Sequence, residues 1–414
     1  MGRGERSAPP IPAKTVWKVP KIAAVHVIGL MSGTSADGID AALVEWPDGP
    51  EARPFRLLAH REIPHEPALR DRIHALAAGR TAPGETLQEL ARLHATLGDR
   101  FAEAALAVAA EAGIDSIDAV ASHGQTVGHY PEDGATLQIG DPSRIAERTG
   151  WTTVADFRPR DVAAGGEGAP LAPFFHLAAF GTADETRVVL NLGGIANVTG
   201  LPRGADPDAV VAFDTGPANS LIDGVITLAS EGAKRMDRGG LHARAGTVAS
   251  DWLAELLDDD YFRRPPPKST GRERYGLAEA EALLTRARKR GVPLDDLVAT
   301  LVALTAESVV AACRDFLPGA EGLDRMIVGG GGAENPALMA ALAERLPGVV
   351  VKPFDAHGVP RGAAEAMAFS LLGRNALLGL PNHLPRTTGA KHATVLGVIV
   401  PGGPGLPVPV RVRR

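Results

Sequence analysis

Residues 29–40, which read GLMSGTSADGID, join two runs that are typical of buried strands. The run before them, Ile22–Ile28, is apolar and rich in β-branched residues, and a similar run, Ile39–Trp46, begins where they end. The pattern predicts a β-hairpin whose tip carries glycines, small hydroxyl side chains and carboxylates. Glycine lets backbone N–H groups face an anion such as phosphate, hydroxyls add donors, and an Asp can hold Mg²⁺ through its water shell. The tip therefore favours a nucleotide phosphate loop.

The same residue types also occur in ordinary solvent-exposed hairpin turns, so that simpler interpretation of the tip remains open. Two common nucleotide motifs are missing from the sequence. It contains no G-x-x-x-x-G-K-[S/T], and no G-x-G-x-x-G follows a predicted strand. A nucleotide that binds at the tip would need another architecture, and a dinucleotide-dependent dehydrogenase is disfavoured.

The composition is that of an ordinary globular protein, with 45% hydrophobic and 22% charged residues. A length of 414 residues predicts two domains. The formal net charge of −6 offers no basic surface for nucleic acid or an anionic membrane, and we find no segment apolar enough to span a bilayer. The single cysteine, Cys313, excludes an intramolecular disulfide and fits a reducing compartment such as the cytoplasm.

One order of elements occurs twice, which predicts two α/β units facing each other across a cleft. In each unit a strand, a glycine turn and two more strands are followed by helices. The strands are predicted at 22–30, 39–46 and 55–63 and again at 188–192, 195–201 and 210–213. We predict a disordered tail at 1–21, a first domain at 22–185, a second domain at 186–385, and a segment at 386–414 that returns to the first domain.

Two further glycine turns provide places where a backbone can approach a nucleotide closely. Gly193 and Gly194 turn the second predicted hairpin. Gly330 and Gly331 belong to a four-glycine run that Asn335 separates from a predicted helix. A helix start of this kind suits an adenosine or α-phosphate contact, and a plain strand-to-helix turn is the simpler alternative.

Asp214 follows an apolar strand and precedes a predicted helix, where α/β folds usually carry functional groups. A catalytic carboxylate is the favoured interpretation because Gly216 leaves room for a ligand. The alternative is an N-terminal helix cap.

Eight separate stretches, in this order, resemble those of the anhydro-N-acetylmuramic acid kinase family, which belongs to the actin, Hsp70 and hexokinase-like superfamily. They are GLMSGTS with Asp37-Gly38, SHGQT at 122–126, ADFR with RDVA at 155–163, GAPL at 168–171, NLGG at 191–194, FDTGP at 213–217, KSTGRER at 268–274 and the glycines at 329–332. The resemblance extends from about residue 22 to about residue 400. It leaves out the N-terminal tail and a few changed residues such as Ala218.

The resemblance implies an α/β fold of two domains, built from duplicated ribonuclease H-like units with a cleft between them. It also implies a kinase that uses ATP and Mg²⁺. The family phosphorylates 1,6-anhydro-N-acetylmuramic acid while water opens the anhydro bridge, and the product is N-acetylmuramic acid 6-phosphate, a step of cell-wall sugar recycling. By resemblance Asp214 is the catalytic base, and Arg160 and Glu365 contact the sugar. The ATP phosphate segment would comprise Gly33, Thr34, Ser35, Ala36, Asp37, Gly38, Ile39 and Asp40.

Residue type suggests the remaining roles. Gln125 and Thr126 are neutral donors and acceptors that suit sugar hydroxyls, and Asp37 is our candidate for Mg²⁺. Arg160 matches the carboxylate of a lactyl-bearing sugar, although it could instead pair with an acidic neighbour on a solvated loop. His123, at a strand end, is expected either to be structural or to support residues that contact the ligand.

Two other functions stay open: a kinase for another sugar or polyol, and an actin-like or Hsp70-like ATPase whose output is conformational. ADP release measured with and without sugar discriminates between these classes. The expected partner is a small anhydro-sugar, with no nucleic acid and no membrane. A homodimer and a cytoplasmic location complete the expectation.

Overall fold

The computed structural model describes residues 24–403 and contains two β-sheets with helices packed on them. The tail predicted at 1–21 and the last residues of the C-terminal segment lie outside the described residues. The strands are β1 (Val25–Ser32), β2 (Gly38–Trp46), β3 (Arg56–Pro64), β4 (Ala119–Tyr130), β5 (Ala135–Ile139), β6 (Thr153–Ala155), β7 (Thr186–Leu192), β8 (Ile195–Leu201), β9 (Val211–Pro217), β10 (Leu323–Gly329), β11 (Val350–Pro353) and β12 (Val398–Val400).

Fifteen α-helices connect these strands within the described residues, and seven of them follow one another between β9 and β10. They are α1 (Pro67–Ala77), α2 (Thr86–Ala112), α3 (Pro142–Thr149), α4 (Phe157–Ala163), α5 (Ala172–Phe180), α6 (Asn219–Ala229), α7 (Leu241–Ala245), α8 (Ser250–Leu257), α9 (Asp260–Arg263), α10 (Arg272–Tyr275), α11 (Leu277–Arg290), α12 (Leu294–Phe316), α13 (Pro336–Arg345), α14 (Ala364–Leu378) and α15 (Pro385–Thr388).

The two sheets share one topology. The first has the order β12-β6-β4-β1-β2-β3 with β5 paired to β4, and the second has the order β11-β10-β7-β8-β9. In the first sheet β1, β2 and β3 are antiparallel neighbours and β4 runs parallel to β1. In the second sheet β7, β8 and β9 are antiparallel and β10 runs parallel to β7. The predicted α/β fold with a repeated order of elements is confirmed.

Helix α14 packs on the first sheet, against β1, β2 and β4. A Cβ atom at Gly29 of β1 would collide with the carbonyl oxygen of Ala366, so glycine is needed for the helix to approach this closely. Met367 of α14 shares an apolar core with Val27 of the first sheet and Val189 of the second. The chain therefore returns to the first sheet before α14, earlier than the predicted limit at residue 385. The domain limits themselves remain a prediction.

Helix α12 corrects one expectation from the sequence. Its length and apolar composition would suffice to cross a membrane, whereas the prediction from sequence is that no segment could do so. Within the structure 78% of its most apolar window is buried, and Leu301 and Val309 lie in the core of the second unit. Cys313 on the same helix is also buried, and this burial raises the pKa of its thiol to about 12. The apolar run is that of a core helix.

Candidate active site

A cavity of about 570 Å³ opens between the two sheets. Met31 at the end of β1 and Glu365 at the start of α14 line one side. Asn197 of β8 and Asp214 of β9 line the other. The volume falls in the range of small-molecule sites, and a few polar groups converge on it. It corresponds to the predicted cleft.

Asp214 is held in place by several hydrogen bonds. Its Oδ2 accepts one from the backbone N–H of Thr270 at 3.0 Å. Its own N–H donates to the carbonyl oxygen of Lys268 at 3.2 Å, and its carbonyl accepts from the hydroxyl of Tyr261 at 2.8 Å. Burial raises the pKa of Asp214 to about 6, and the negative charge of Glu273 adds to the rise. The hydrogen bond from Thr270 lowers the pKa and offsets only part of this rise. A fixed carboxylate with this pKa can accept a proton near neutral pH.

The simpler role of Asp214 as a helix cap does not fit the structure. Helix α6 begins at Asn219, and its cap position is Ala218. Asp214 lies within β9 instead, where it pairs with Asn197 of the neighbouring strand. Because paired residues of adjacent strands point to the same face, both side chains reach the cavity.

Arg158 brings a positive charge to the cavity wall. Its Nε donates to Nε2 of His123 at 2.9 Å, and its Nη1 donates to the carbonyl oxygen of Gly168 at 2.8 Å. His123 Nδ1 lies 2.8 Å from the carbonyl oxygen of Gly124, so this hydrogen-bond network assigns its proton to Nδ1 and makes the ring neutral. Burial lowers the pKa of Arg158 to about 10, which still leaves it charged at neutral pH. Because Nε and Nη1 already donate to His123 and Gly168, Nη2 is the nitrogen that remains available for an anionic group of a ligand.

Glu365 faces the same cavity from the first turn of α14. Burial raises the pKa of its carboxyl, and the positive charge of Arg158 opposes that rise. The structure thus places Glu365 and Asp214 in the wall of one cavity. Their roles in one site, which the family resemblance implies, stay a prediction.

Arg160, the other predicted sugar contact, is exposed and does not line the cavity. Arg158 and Arg160 both belong to α4. Residues two positions apart on a helix point in nearly opposite directions, so only one of the pair can face the cavity. The structure places Arg158 there.

Gln125 and Thr126 do not line the cavity either. Gln125 is fully buried, and its Nε2 donates to the carbonyl oxygen of Gly33 at 3.0 Å while its Oε1 lies 2.7 Å from the hydroxyl of Ser32. The hydroxyl of Thr126 accepts a hydrogen bond from Gln138 at 3.3 Å. Gln125 therefore holds the backbone of the hairpin tip through Gly33 and Ser32 and does not face the cavity.

The hairpin tip itself exposes two hydroxyl side chains, those of Thr34 and Ser35. A backbone hydrogen bond of 3.0 Å from the N–H of Ala36 to the carbonyl oxygen of Gly33 closes the turn. Ala36 and Ile39 are buried in the core under the sheet. Their side chains hold the tip, and the exposed hydroxyls and backbone remain for a ligand.

Asp37, the predicted Mg²⁺ residue, is exposed at the tip, with its Oδ1 3.3 Å from Nη1 of Arg70. Asp40 lies on β2 next to Met31 of β1. Burial raises the pKa of Asp40 to about 7, and the charges of Glu62 and Glu365 add to this rise. The two carboxylates of the segment therefore have different surroundings.

The predicted nucleotide glycines fall into two groups. A Cβ atom at Gly38 or Gly330 would lie about 2.5–2.6 Å from atoms of Ile63 or Asn191, so packing explains these two. In the second group a Cβ atom would have no neighbouring atom closer than 3.6 Å within the described residues, and the backbone φ is outside the left-handed region. These are Gly33, Gly193, Gly194 and Gly331. Close approach of a ligand is a reason for glycine that fits all four.

The second hairpin turn is fastened to helix α6. Asn219 Nδ2 donates to the carbonyl oxygen of Gly193 at 2.9 Å, and Arg272 lies beside Gly194. In the glycine-rich turn after β10, Asn335 caps α13 by accepting a hydrogen bond of 3.0 Å from its backbone. The simpler role of Asn335 is therefore present, and its contact with a nucleotide stays a prediction.

Comparison with known proteins agrees with this arrangement. Residues 25–402 match the family described as anhydro-N-acetylmuramic acid kinase. The protein of that name from Salinibacter ruber is 44% identical over 389 residues, which cover 91% of this chain and 96% of the relative. The one from Xanthomonas campestris pv. campestris is 48% identical over 378 residues, which cover 90% and 97%. The chain belongs to the anhydro-N-acetylmuramic acid kinase family.

The resemblance in the sequence is therefore confirmed, and the chain is a kinase of this family. A solved ROK family glucokinase from Streptomyces griseus, in complex with glucose and AMPPNP, is a more distant structural match. It has a TM-score of 0.35 and 14% sequence identity, over 83% of this chain and 98% of that one.

Lys268 and Arg158 are two residues of this site that were not predicted from the sequence. Lys268 is buried, and its Nζ donates to the carbonyl oxygen of Tyr261 at 3.2 Å and lies 4.8 Å from the ring centre of Phe316. It fixes the segment whose backbone binds Asp214. Lys268 lies in the KSTGRER motif and Arg158 in the ADFR motif, so membership of these motifs was the signal in the sequence that could have identified them.

Proposed function

We propose that this chain uses ATP to phosphorylate O6 of 1,6-anhydro-N-acetylmuramic acid while water opens the anhydro bridge, giving N-acetylmuramic acid 6-phosphate. The observation that carries the proposal is the meeting of Asp214, Arg158 and Glu365 in one cavity of a chain of this family. The cavity offers a base for water and a cation for a substrate carboxylate.

Opening the bridge by water is inverting glycoside chemistry, which ordinarily uses one carboxylate base and one acid. Asp214 takes the proton of the attacking water as its oxygen bonds to the anomeric carbon. The bond from that carbon to O6 breaks, and O6 bonds to the γ-phosphorus as ADP leaves. The phosphoryl group thus takes the place of the acid, and one carboxylate base suffices.

Arg158 and Glu365 would orient the sugar. Nη2 of Arg158, the guanidinium nitrogen not used by His123 or Gly168, would donate to the lactyl carboxylate, a group that plain hexoses lack. Glu365 can accept hydrogen bonds from sugar hydroxyls. This assignment replaces the role that resemblance gave to Arg160, and it retains the one given to Glu365.

The nucleotide would lie with its phosphates between the two hairpin tips. The exposed Thr34 and Ser35 and the uncrowded glycines Gly33, Gly193 and Gly194 support this placement. Mg²⁺ bound to the phosphates would neutralise developing charge. Asp37 is the proposed residue for it, through water, in competition with Arg70.

ADP release tests the proposal most simply. We expect release to depend on the anhydro-sugar and to stay near background with glucose or N-acetylglucosamine. Release without any sugar would favour a conformational ATPase. A homodimer and a cytoplasmic location without nucleic acid or membrane partners stay predictions.

A further inference from the structure

Three side chains of types that can ligate a metal ion, those of Asp40, His60 and Glu62, lie together on β2 and β3, at the edge of the first sheet. The register pairs Asp40 with Glu62 and Ala42 with His60. Because Glu62 and His60 are two positions apart on one strand, their side chains share the face of Asp40. Each of the three side chains offers one ligand atom, and these atoms lie within 4.8 Å of one another.

The cluster carries negative charge that the neighbouring cations do not balance. Like charges directly opposite each other destabilise a sheet, and Asp40 and Glu62 are such a pair. Arg61 on the same strand pairs with Glu111, and Arg361 pairs with Asp355. Within residues 24–403 no ion pair involves Asp40 or Glu62, and the charges that act on the pKa of Asp40 are those of Glu62 and Glu365, both negative.

His60 provides a separate observation that points to a ligand. Its Nε2 atom is buried and has no hydrogen-bond partner among the described residues. A buried nitrogen without a hydrogen-bond partner is unfavourable, so it requires an explanation. A bound cation would satisfy this nitrogen and neutralise the two carboxylates at once.

We propose that Asp40, His60 and Glu62 bind one divalent transition-metal ion of the Zn²⁺ class, distinct from the Mg²⁺ that accompanies ATP. One imidazole nitrogen and two carboxylate oxygens suit Zn²⁺, with water in the fourth position. Mg²⁺ and Ca²⁺ prefer oxygen ligands alone. Ligands on two paired strands are held more precisely than ligands on loops.

The position of the cluster suggests a consequence for the enzyme. A Cβ atom at Gly362 would lie 2.6 Å from Oε1 of Glu62 and 3.1 Å from Cε1 of His60, so the turn before α14 covers the cluster. Two residues after this turn α14 begins, and its Glu365 lines the cavity. A metal ion would join β2 to β3 directly beneath this turn and so stabilise the surface on which the turn and the start of α14 pack.

Binding is tested on the full chain after chelation and dialysis. Co²⁺, which has visible absorption bands in Zn²⁺ sites, is titrated by absorbance, and Zn²⁺ is titrated by calorimetry. We expect one ion per chain and an affinity at least about 10-fold weaker in His60→Gln and Glu62→Gln. His26→Gln is the matched control, because His26 Nε2 lies 3.4 Å from a single carboxylate, that of Glu45.

A measurement on the unaltered chain covers the case in which a variant fails to fold. Zn²⁺ should raise the Tm of the wild-type protein relative to a chelator, and Mg²⁺ at the same concentration should not. The proposal is overturned if the wild type shows neither the Co²⁺ bands nor this rise. It is also overturned if Mg²⁺ acts equally well or if folded His60→Gln binds Zn²⁺ as the wild type does.

Discussion

The backbone N–H of Thr270 donates a hydrogen bond of 3.0 Å to Oδ2 of Asp214. This bond fixes the direction of a carboxylate on β9 from a segment that lies more than fifty residues further along the chain. Burial outweighs the bond and keeps the pKa of Asp214 at about 6. The carboxylate is therefore oriented and also basic enough to take a proton from water.

The acid side of the pH profile should report Asp214. Because the base must be ionised, we expect kcat/KM to fall as the pH drops through about 6, with a tenfold loss for each further pH unit. Glu273→Gln removes a negative charge that raises the pKa of Asp214, so the limb should move to lower pH. Glu279→Gln, on the neighbouring helix, is the control. A profile that is flat from about pH 5 to pH 8 contradicts this role.

Arg158 should govern recognition of the substrate carboxylate. A hydrogen bond to a charged group contributes about 1.5–3 kcal/mol, so Arg158→Gln should raise the sugar KM by roughly 10–100-fold. Arg160→Gln should leave it unchanged. The same assay with 1,6-anhydro-N-acetylglucosamine, which has no lactyl group, should show little difference between wild type and Arg158→Gln. Equal effects of the two arginine variants would refute the assignment.

Substitutions of Gly33 and Gly38 distinguish two reasons for glycine in one loop, the close approach of a ligand and the packing of the protein itself. A Cβ atom at Gly33 has open space, whereas one at Gly38 would lie 2.5 Å from the carbonyl oxygen of Ile63. Gly33→Val should therefore keep the Tm and raise the KM for ATP, and Gly38→Val should lower the Tm. If Gly33→Val keeps normal ATP kinetics, the tip is not part of the nucleotide site.

Gln125 gives opposite predictions for the two roles considered. The sequence suggests that Gln125 contacts the sugar. In the structure its side-chain amide donates to the carbonyl oxygen of Gly33 and accepts from the hydroxyl of Ser32. Gln125→Leu should then raise the KM for ATP more than the KM for sugar. A change confined to the sugar KM would favour the role suggested by the sequence.

The parts of the fold that depend on local pattern were predictable. Apolar runs rich in β-branched residues, joined by glycine turns, predicted the antiparallel strands of both sheets, and the end of an apolar strand before α6 indicated Asp214. The placement of α14 was not predictable in this way, because it depends on a contact between Gly29 and Ala366 that is distant in sequence.

The same limit on prediction from sequence applies to the side chains of the candidate site. Arg158 and Arg160 are the same residue type in one motif, and only the rotation of α4 decides which of them faces the cavity. Gln125 likewise suits a hydroxyl by chemistry, and its burial under the hairpin tip is decided by tertiary structure. Residue type and spacing identify the motif, and the packing around it selects the residue.

The most direct test of the mechanism is turnover in ¹⁸O-labelled water with ATP, Mg²⁺ and 1,6-anhydro-N-acetylmuramic acid, quenched within the first turnovers. We predict one label at the anomeric hydroxyl of the 6-phosphorylated product, initially in the α configuration. Asp214→Asn should lose ring opening and phosphorylation together, by about 10²–10⁴-fold, while substrate binding largely survives. A phosphorylated product with an intact anhydro ring, or near-normal turnover by Asp214→Asn, would contradict the mechanism.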